Sequence, residues 1–97
     1  MAFRFEFEEA AARDLRQLTK RNQPLLLAIV TEYIPAILRD PYGAGEKKKG
    51  DLAHIRAYNM KLNNVVYRLA YMIEDDVIII VAIGEHDTTY TRAARRR

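Results

Sequence analysis

The run from Asn59 to Tyr90 constrains the fold more than any other part of the chain. Two strand-like stretches, Val65-Val66-Tyr67-Arg68-Leu69-Ala70-Tyr71-Met72-Ile73 and Val77-Ile78-Ile79-Ile80-Val81-Ala82-Ile83, flank Glu74-Asp75-Asp76, and a third, Tyr58-Asn59-Met60-Lys61-Leu62, precedes Asn63-Asn64. β-Branched and aromatic residues between short polar clusters mark strands, and asparagine tolerates the positive φ that two-residue hairpin turns demand. With a turn at Asn63-Asn64, Leu62 pairs with Val65, Lys61 with Val66 and Asn59 with Arg68. A second two-residue turn at Asp75-Asp76 sets Arg68 opposite Ile83. Directly opposed residues share a face. One face should therefore carry Met60, Leu62, Val65, Tyr67, Leu69, Tyr71, Ile78, Ile80 and Ala82, apolar enough to pack under helices. The other holds Asn59, Lys61, Val66, Arg68, Val81 and Ile83, and is the candidate working surface.

Upstream, Phe3-Arg4-Phe5-Glu6-Phe7 alternates with period two and is expected to be a strand that buries its phenylalanines. From Glu8 to Arg21 the period becomes helical. Ala11, Leu15 and Leu18 recur on one side, Glu8 and Glu9 stand at the positive end of the helix dipole, and Lys20 and Arg21 at the negative end. Asn22 is placed to cap a second helix, with Pro24 in its first turn and Leu26, Ile29, Val30, Tyr33 and Ile37 as its buried stripe. Pro35 lacks an N–H and disfavours helix in the residue before it, so a kink or stop is expected near Tyr33. Asp40-Pro41-Tyr42-Gly43-Ala44-Gly45 reads as a loop, extended by Lys47-Lys48-Lys49. The fold class is α+β in the order β-α-α-β-β-β, an antiparallel sheet with two helices packed on one face. The 97 residues form one domain, 1–97, ending in a basic tail at about 92–97.

Composition narrows the function. The chain has no cysteine, which excludes disulfides, thiolate zinc sites and a cysteine nucleophile. Its start is not that of a signal peptide and no apolar run reaches the roughly 20 residues of a membrane span, so a cytoplasmic protein without membrane contact is expected. The net charge of +3 is unevenly placed. Residues 1–43 balance Arg4, Arg13, Arg16, Lys20, Arg21 and Arg39 against Glu6, Glu8, Glu9, Asp14, Glu32 and Asp40. The excess falls in the second half, on Lys47, Lys48, Lys49, Arg56, Lys61, Arg68, Arg92, Arg95, Arg96 and Arg97. One-sided charge of this kind suits a polyanion, because neutralising phosphates releases condensed counterions. The plainer alternative is a solvated lysine loop and a frayed arginine tail. No His/Asp/Glu grouping has metal-site spacing, and there is no Gly-rich phosphate loop. A helix-turn-helix reader is not indicated, because both helices bury their apolar stripes and lack a basic recognition face.

Gly84 ends the last strand, with His86 and Tyr90 soon after it. At about 3.4 Å per residue both can lie within roughly 10 Å of Arg68. Strict alternation puts His86 on the wrong face, so the chain must be redirected at Gly84.

The order of elements, with Lys61-Leu62, Tyr67-Arg68-Leu69-Ala70-Tyr71, Ile83-Gly84-Glu85-His86-Asp87 and Tyr90-Thr91-Arg92-Ala93, resembles the RelE/ParE superfamily of bacterial type II toxins. The resemblance implies one of two activities. The RelE-like branch cleaves messenger RNA in the ribosomal A site on the 30S subunit, and the ParE-like branch poisons DNA gyrase without nuclease chemistry. In the cleaving branch, residues matching Lys61, Arg68, His86 and Tyr90 carry the activity without a metal or other cofactor. His86 stands where some members have arginine, and Asn59 where another lysine often sits. Lys47, Lys48, Lys49, Arg56, Arg92, Arg95 and Arg96 would then contact ribosomal RNA. A cognate antitoxin is implied as partner, with DNA met only through it.

Elementary chemistry fits the cleaving branch. Metal-free cutting of RNA must remove a proton from the 2′-hydroxyl, neutralise the charge gained on the phosphoryl oxygens and protonate the leaving 5′-oxygen. Arg68 offers a permanently charged planar fork and Lys61 a second cation. His86 can act as acid or base near neutral pH, and Tyr90 can orient the hydroxyl or stack on a splayed base. Singly, each has a plainer use: Arg68 as a snorkelling strand residue, His86 as a loop hydrogen-bonder, Tyr90 as a tail anchor and Lys61 as a solvated strand residue. Only their convergence supports a site. A non-enzymatic RNA-binding domain is the remaining alternative.

Overall fold

In a computed structural model that describes residues 2–48, 54–86 and 88–96, the chain runs β1 (Arg4–Phe7), α1 (Glu9–Thr19), α2 (Gln23–Ala28), a π-helical turn (Ile29–Tyr33), α3 (Ile34–Arg39), α4 (Pro41–Ala44), β2 (Glu46–Lys47), β3 (Arg56–Leu62), β4 (Val65–Glu74), β5 (Val77–Gly84) and α5 (Thr88–Arg95). The α+β class and the helix-helix-meander order are as expected. Five strands form one sheet in the order β1-β5-β4-β3-β2. β1 lies parallel to β5, and the other neighbours are antiparallel.

Both hairpins close at the anticipated turns. Asn63 and Asn64 take φ of 53° and 67°, and Asp75 takes 54°. Leu62 pairs with Val65, Lys61 with Val66 and Asn59 with Arg68. The second hairpin starts in the expected register, Glu74 with Val77, and keeps it as far as Tyr71 with Ile80. It then steps to Ala70 with Ala82, leaving Val81 as a bulge, so Arg68 stands opposite Gly84 and not Ile83. A bulge inverts the facing of every later residue on its strand. Ile83 therefore joins the core under the helices, while Val81 and Ala82 both turn to the opposite face.

The helical segment also departs from simple periodicity, at Pro35. The helix does not stop near Tyr33; it passes through a π turn in which the Ile34 N–H donates to Ile29 O. A five-residue turn of this kind leaves room for a residue that has no N–H to give. It also advances the buried stripe by one position. Leu25, Ala28, Ile29, Ile34 and Ile37 are buried, whereas Val30 of the expected stripe is exposed. The cap behaves as read from sequence: the Leu25 N–H donates to Asn22 Oδ1 at 3.1 Å.

Three expectations need correction. The 40–45 loop contains α4, capped by Asp40, whose Oδ1 accepts from the Gly43 N–H at 3.1 Å. Lys47 is in strand β2, not in a loop. The supposed tail is largely the helix α5, which covers the second face of the sheet. Ile55, Ala70, Met72, Val81, Ala82, Tyr90 and Ala93 pack there in a second core. The main core lies under α1 to α3 and centres on Leu25, Ile29, Met60, Leu69, Ile78 and Tyr71. Burial pushes the Tyr71 hydroxyl above its ordinary pKa, against the pull of the Gly45 N–H; it donates to Pro41 O at 2.6 Å. Among the phenylalanines, Phe3 and Phe7 pack on this core, but Phe5 is 42% exposed on the edge strand.

Candidate active site

The site forms where β3, β4 and the end of β5 meet the start of α5. Pairing of Asn59 with Arg68 puts both on the face that α5 covers, and Lys61 shares that face two residues along β3. Arg68 Nη1 donates to Glu85 O and lies 3.4 Å from Val66 O, which draws the guanidinium to the chain leaving β5. The bulge at Val81 puts Gly84 rather than Ile83 opposite Arg68. β5 ends there, and Glu85 and His86 lie in the bend that follows. His86 is exposed, and its carbonyl accepts the Thr89 N–H at 2.9 Å as α5 begins.

α5 then brings in Tyr90. The residue is only 6% exposed, yet its hydroxyl crosses to β3 and donates to Asn59 Oδ1 at 3.0 Å. The Lys48 ammonium sits 4.5 Å from the centre of the same ring, a cation–π geometry. Arg68, Asn59, Tyr90 and Lys48 are thus assembled on one face, with Lys61 beside them and His86 on the adjoining bend. Lys61 is exposed, and its backbone oxygen accepts from Tyr33 Oη at 2.7 Å. Among the described residues, no three His, Asp or Glu side chains gather as a metal site.

The family is decided by sequence. Residues 9–93 match the model of the ParE-like toxin of type II bacterial toxin-antitoxin systems. The chain belongs to this family. No curated protein matches it in sequence. Among solved structures, this toxin is similar to the RelBE2 toxin-antitoxin complex from Mycobacterium tuberculosis, with a TM-score of 0.74 and 24% identity over 89% of this chain and 100% of that one. A mutant of the toxin RelE from E. coli, in the free state, gives a TM-score of 0.71 and 25% identity over 99% and 98% of the two chains. The YoeB dimer from Staphylococcus aureus gives 0.63 and 24% over 87% and 97%. No helix among the toxin's described residues is long and apolar enough to cross a membrane.

The remaining basic residues of the toxin are scattered. Arg56 lies on the opposite face of β3, where its Nη1 donates to Tyr42 O at 3.1 Å and its guanidinium is 5.2 Å from the Tyr42 ring. Lys47 pairs with Arg56 and is exposed, Arg95 is exposed on α5, and Lys49 lies outside the described residues, as does Asp87 beside His86. Arg92 and Arg96 are hydrogen-bonded to the edge of the sheet, with side chains 40% and 22% exposed. β1 ends opposite Ile80, so the outer edge of β5 beyond it lacks a strand partner. Side chains take that place. The Ile83 N–H donates to Asp14 Oδ2 at 3.2 Å, Arg92 Nη2 donates to Ile83 O at 2.8 Å, and Arg96 Nη1 donates to Val81 O at 2.8 Å. Asp14 Oδ2 also accepts from Arg96 at 2.8 Å and from Arg92 at 3.2 Å. Burial alone would raise the Asp14 carboxyl; the Arg96 hydrogen bond, the Ile83 N–H and the two guanidinium charges outweigh it and hold the pKa below its ordinary value. Sequence reading missed Asp14 entirely. The only trace was the i, i+4 spacing of Arg92 and Arg96, which puts both on one side of a helix.

Gly84 permits this docking. A Cβ there would stand 2.5 Å from Thr89 Oγ1 and 3.2 Å from Arg92 Nη2, and Thr89 is fully buried. Gly84→Ala should lower stability by about 1–3 kcal/mol, with amide exchange quickening in α5 before the sheet. Hydrogen exchange read by mass spectrometry checks this; uniform protection would remove Gly84 from the docking argument.

Proposed function

We propose that this toxin is a ribosome-dependent endonuclease that cuts messenger RNA without a metal, by attack of the 2′-hydroxyl on the adjacent phosphate. The observation that carries the reading is the hydrogen bond from Tyr90 to Asn59, the residue paired with Arg68. It sets a phenol and a guanidinium on one sheet face, with Lys48 and Lys61 adding positive charge there. Arg68 binds the phosphoryl oxygens and stabilises the charge they gain. Tyr90 positions the base or the attacking hydroxyl. His86, exposed at the rim, is suited to exchanging a proton with the 2′- or 5′-oxygen. The products are a 2′,3′-cyclic phosphate and a free 5′-hydroxyl. The neighbours that are toxin-antitoxin complexes support a cognate antitoxin as partner, and ribosomes place the action in the cytoplasm.

The reading is tested by inducing the protein in a bacterial host and mapping messenger 5′ ends beside a His86→Ala variant. In-frame cuts within translated codons, weakened by about 10²- to 10⁴-fold in the variant, are expected. Growth arrest without new 5′ ends, accompanied by gyrase-linked DNA breaks, would sink the nuclease and leave the gyrase-directed reading. RNA binding without arrest would leave the non-enzymatic one.

A further inference from the structure

Of the three consecutive lysines, the register distinguishes two. Glu46 pairs with Ala57 and Lys47 with Arg56, and the Lys48 N–H continues the ladder by donating to Ile55 O at 3.1 Å. Ile55 and Ala57 belong to the core under α5, whereas Tyr58 and Met60 belong to the core under the helical hairpin. Opposed residues share a face, so Lys48 is delivered to the α5 face and Lys47 to the other. The sheet ladder fixes the Lys48 backbone, and its ammonium settles over Tyr90.

A second cation matters at this place for a chemical reason. A phosphodiester carries one negative charge, and addition of the 2′-oxygen creates a second. Arg68 is tied through Nη1 to Glu85 O at the far end of β5. Asn59, its cross-strand partner, is neutral and spends its Oδ1 on Tyr90. An ammonium held against the ring of Tyr90 supplies positive charge that Asn59 does not. We propose that Lys48 is a residue of the active site, a cation aimed at the phosphoryl oxygens of the scissile phosphate, and not one of a run of interchangeable surface lysines. This rests on the nuclease reading above.

The test is single-turnover cleavage of a message on stalled ribosomes at saturating toxin. Lys48→Met should slow the cut by about tenfold to a hundredfold with half-saturation little changed. Lys47→Met, on the other face and at an expected ribosomal RNA contact, should shift half-saturation more than the saturated rate. Arg13→Met removes one charge from exposed α1 and controls for net charge. The geometry is read separately in the free protein: ring currents should shift the Lys48 ε-CH₂ resonances upfield, and Tyr90→Leu should abolish that shift. A saturated rate in Lys48→Met equal to wild type, an equal loss in Lys47→Met, or unshifted ε-CH₂ resonances would each overturn the role of Lys48 while leaving the nuclease standing. Wild-type protein that leaves the message intact would overturn the nuclease reading and Lys48's role with it.

Discussion

Arg68→Ala is expected to slow messenger cleavage by about 10²- to 10³-fold at saturating ribosomes, the effect of removing one fixed donor from a developing oxyanion. The residue is well suited to such a loss. β4 is a central strand, Arg68 is half-buried, and its guanidinium is steadied by Glu85 O and Val66 O. A fork held by rigid elements acts on the transition state without having to be ordered first. Arg68→Lys keeps the charge but loses the planar pair of donors, so it should recover only part of the rate. Stability should fall by only about 1 kcal/mol in Arg68→Ala, the scale of a net hydrogen bond. Single-turnover cleavage measured beside urea melts separates the two effects. A variant that cuts at close to the wild-type rate would remove Arg68 from the chemistry.

The parts of this site legible in the sequence were those set by local rules. Asn63-Asn64 could be read as a turn because few residues accept φ near +60°, and the turn alone fixes the pairing of Asn59 with Arg68. The bulge at Val81 was not legible, because Ile78 to Ile83 is an unbroken apolar run in which any position can be the extra one. Its consequence reached the site, since it exchanged Ile83 for Gly84 beside Arg68. Pro35 announced an interruption, but whether helix breaks or widens into a π turn depends on what packs beneath it. α5 was hidden for a similar reason. Thr88 to Arg95 has a single apolar side of Tyr90 and Ala93, too short to declare a helix by period. Its anchor, Asp14, lies far away in sequence.

That anchor carries the other large expected effect. Asp14→Ala should cost about 3–5 kcal/mol, because it leaves the Ile83 N–H without its acceptor and uncompensates Arg96, whose side chain is 22% exposed beside a carboxylate that is 15% exposed. The pH dependence follows from the direction of the Asp14 shift. Its pKa in the folded chain lies below the ordinary 3.8, so its contribution is complete above that value and is lost as pH falls through the lower, folded value. Wild-type stability should therefore decline on the acid side, and Asp14→Asn, which cannot ionise, should lack this part of the decline and approach wild type in strong acid. Urea midpoints measured across the acid range check both. The same substitution probes function at a distance. Asp14 hydrogen-bonds with Ile83, Arg92 and Arg96 and so holds α5, and α5 holds Tyr90 on Asn59. If the helix is secured in this way, Asp14→Asn at neutral pH should speed amide exchange in α5 and slow cleavage together, with Tyr90→Phe adding little further loss in that background. Full cleavage with a loosened α5 would show that Tyr90 needs no such anchoring.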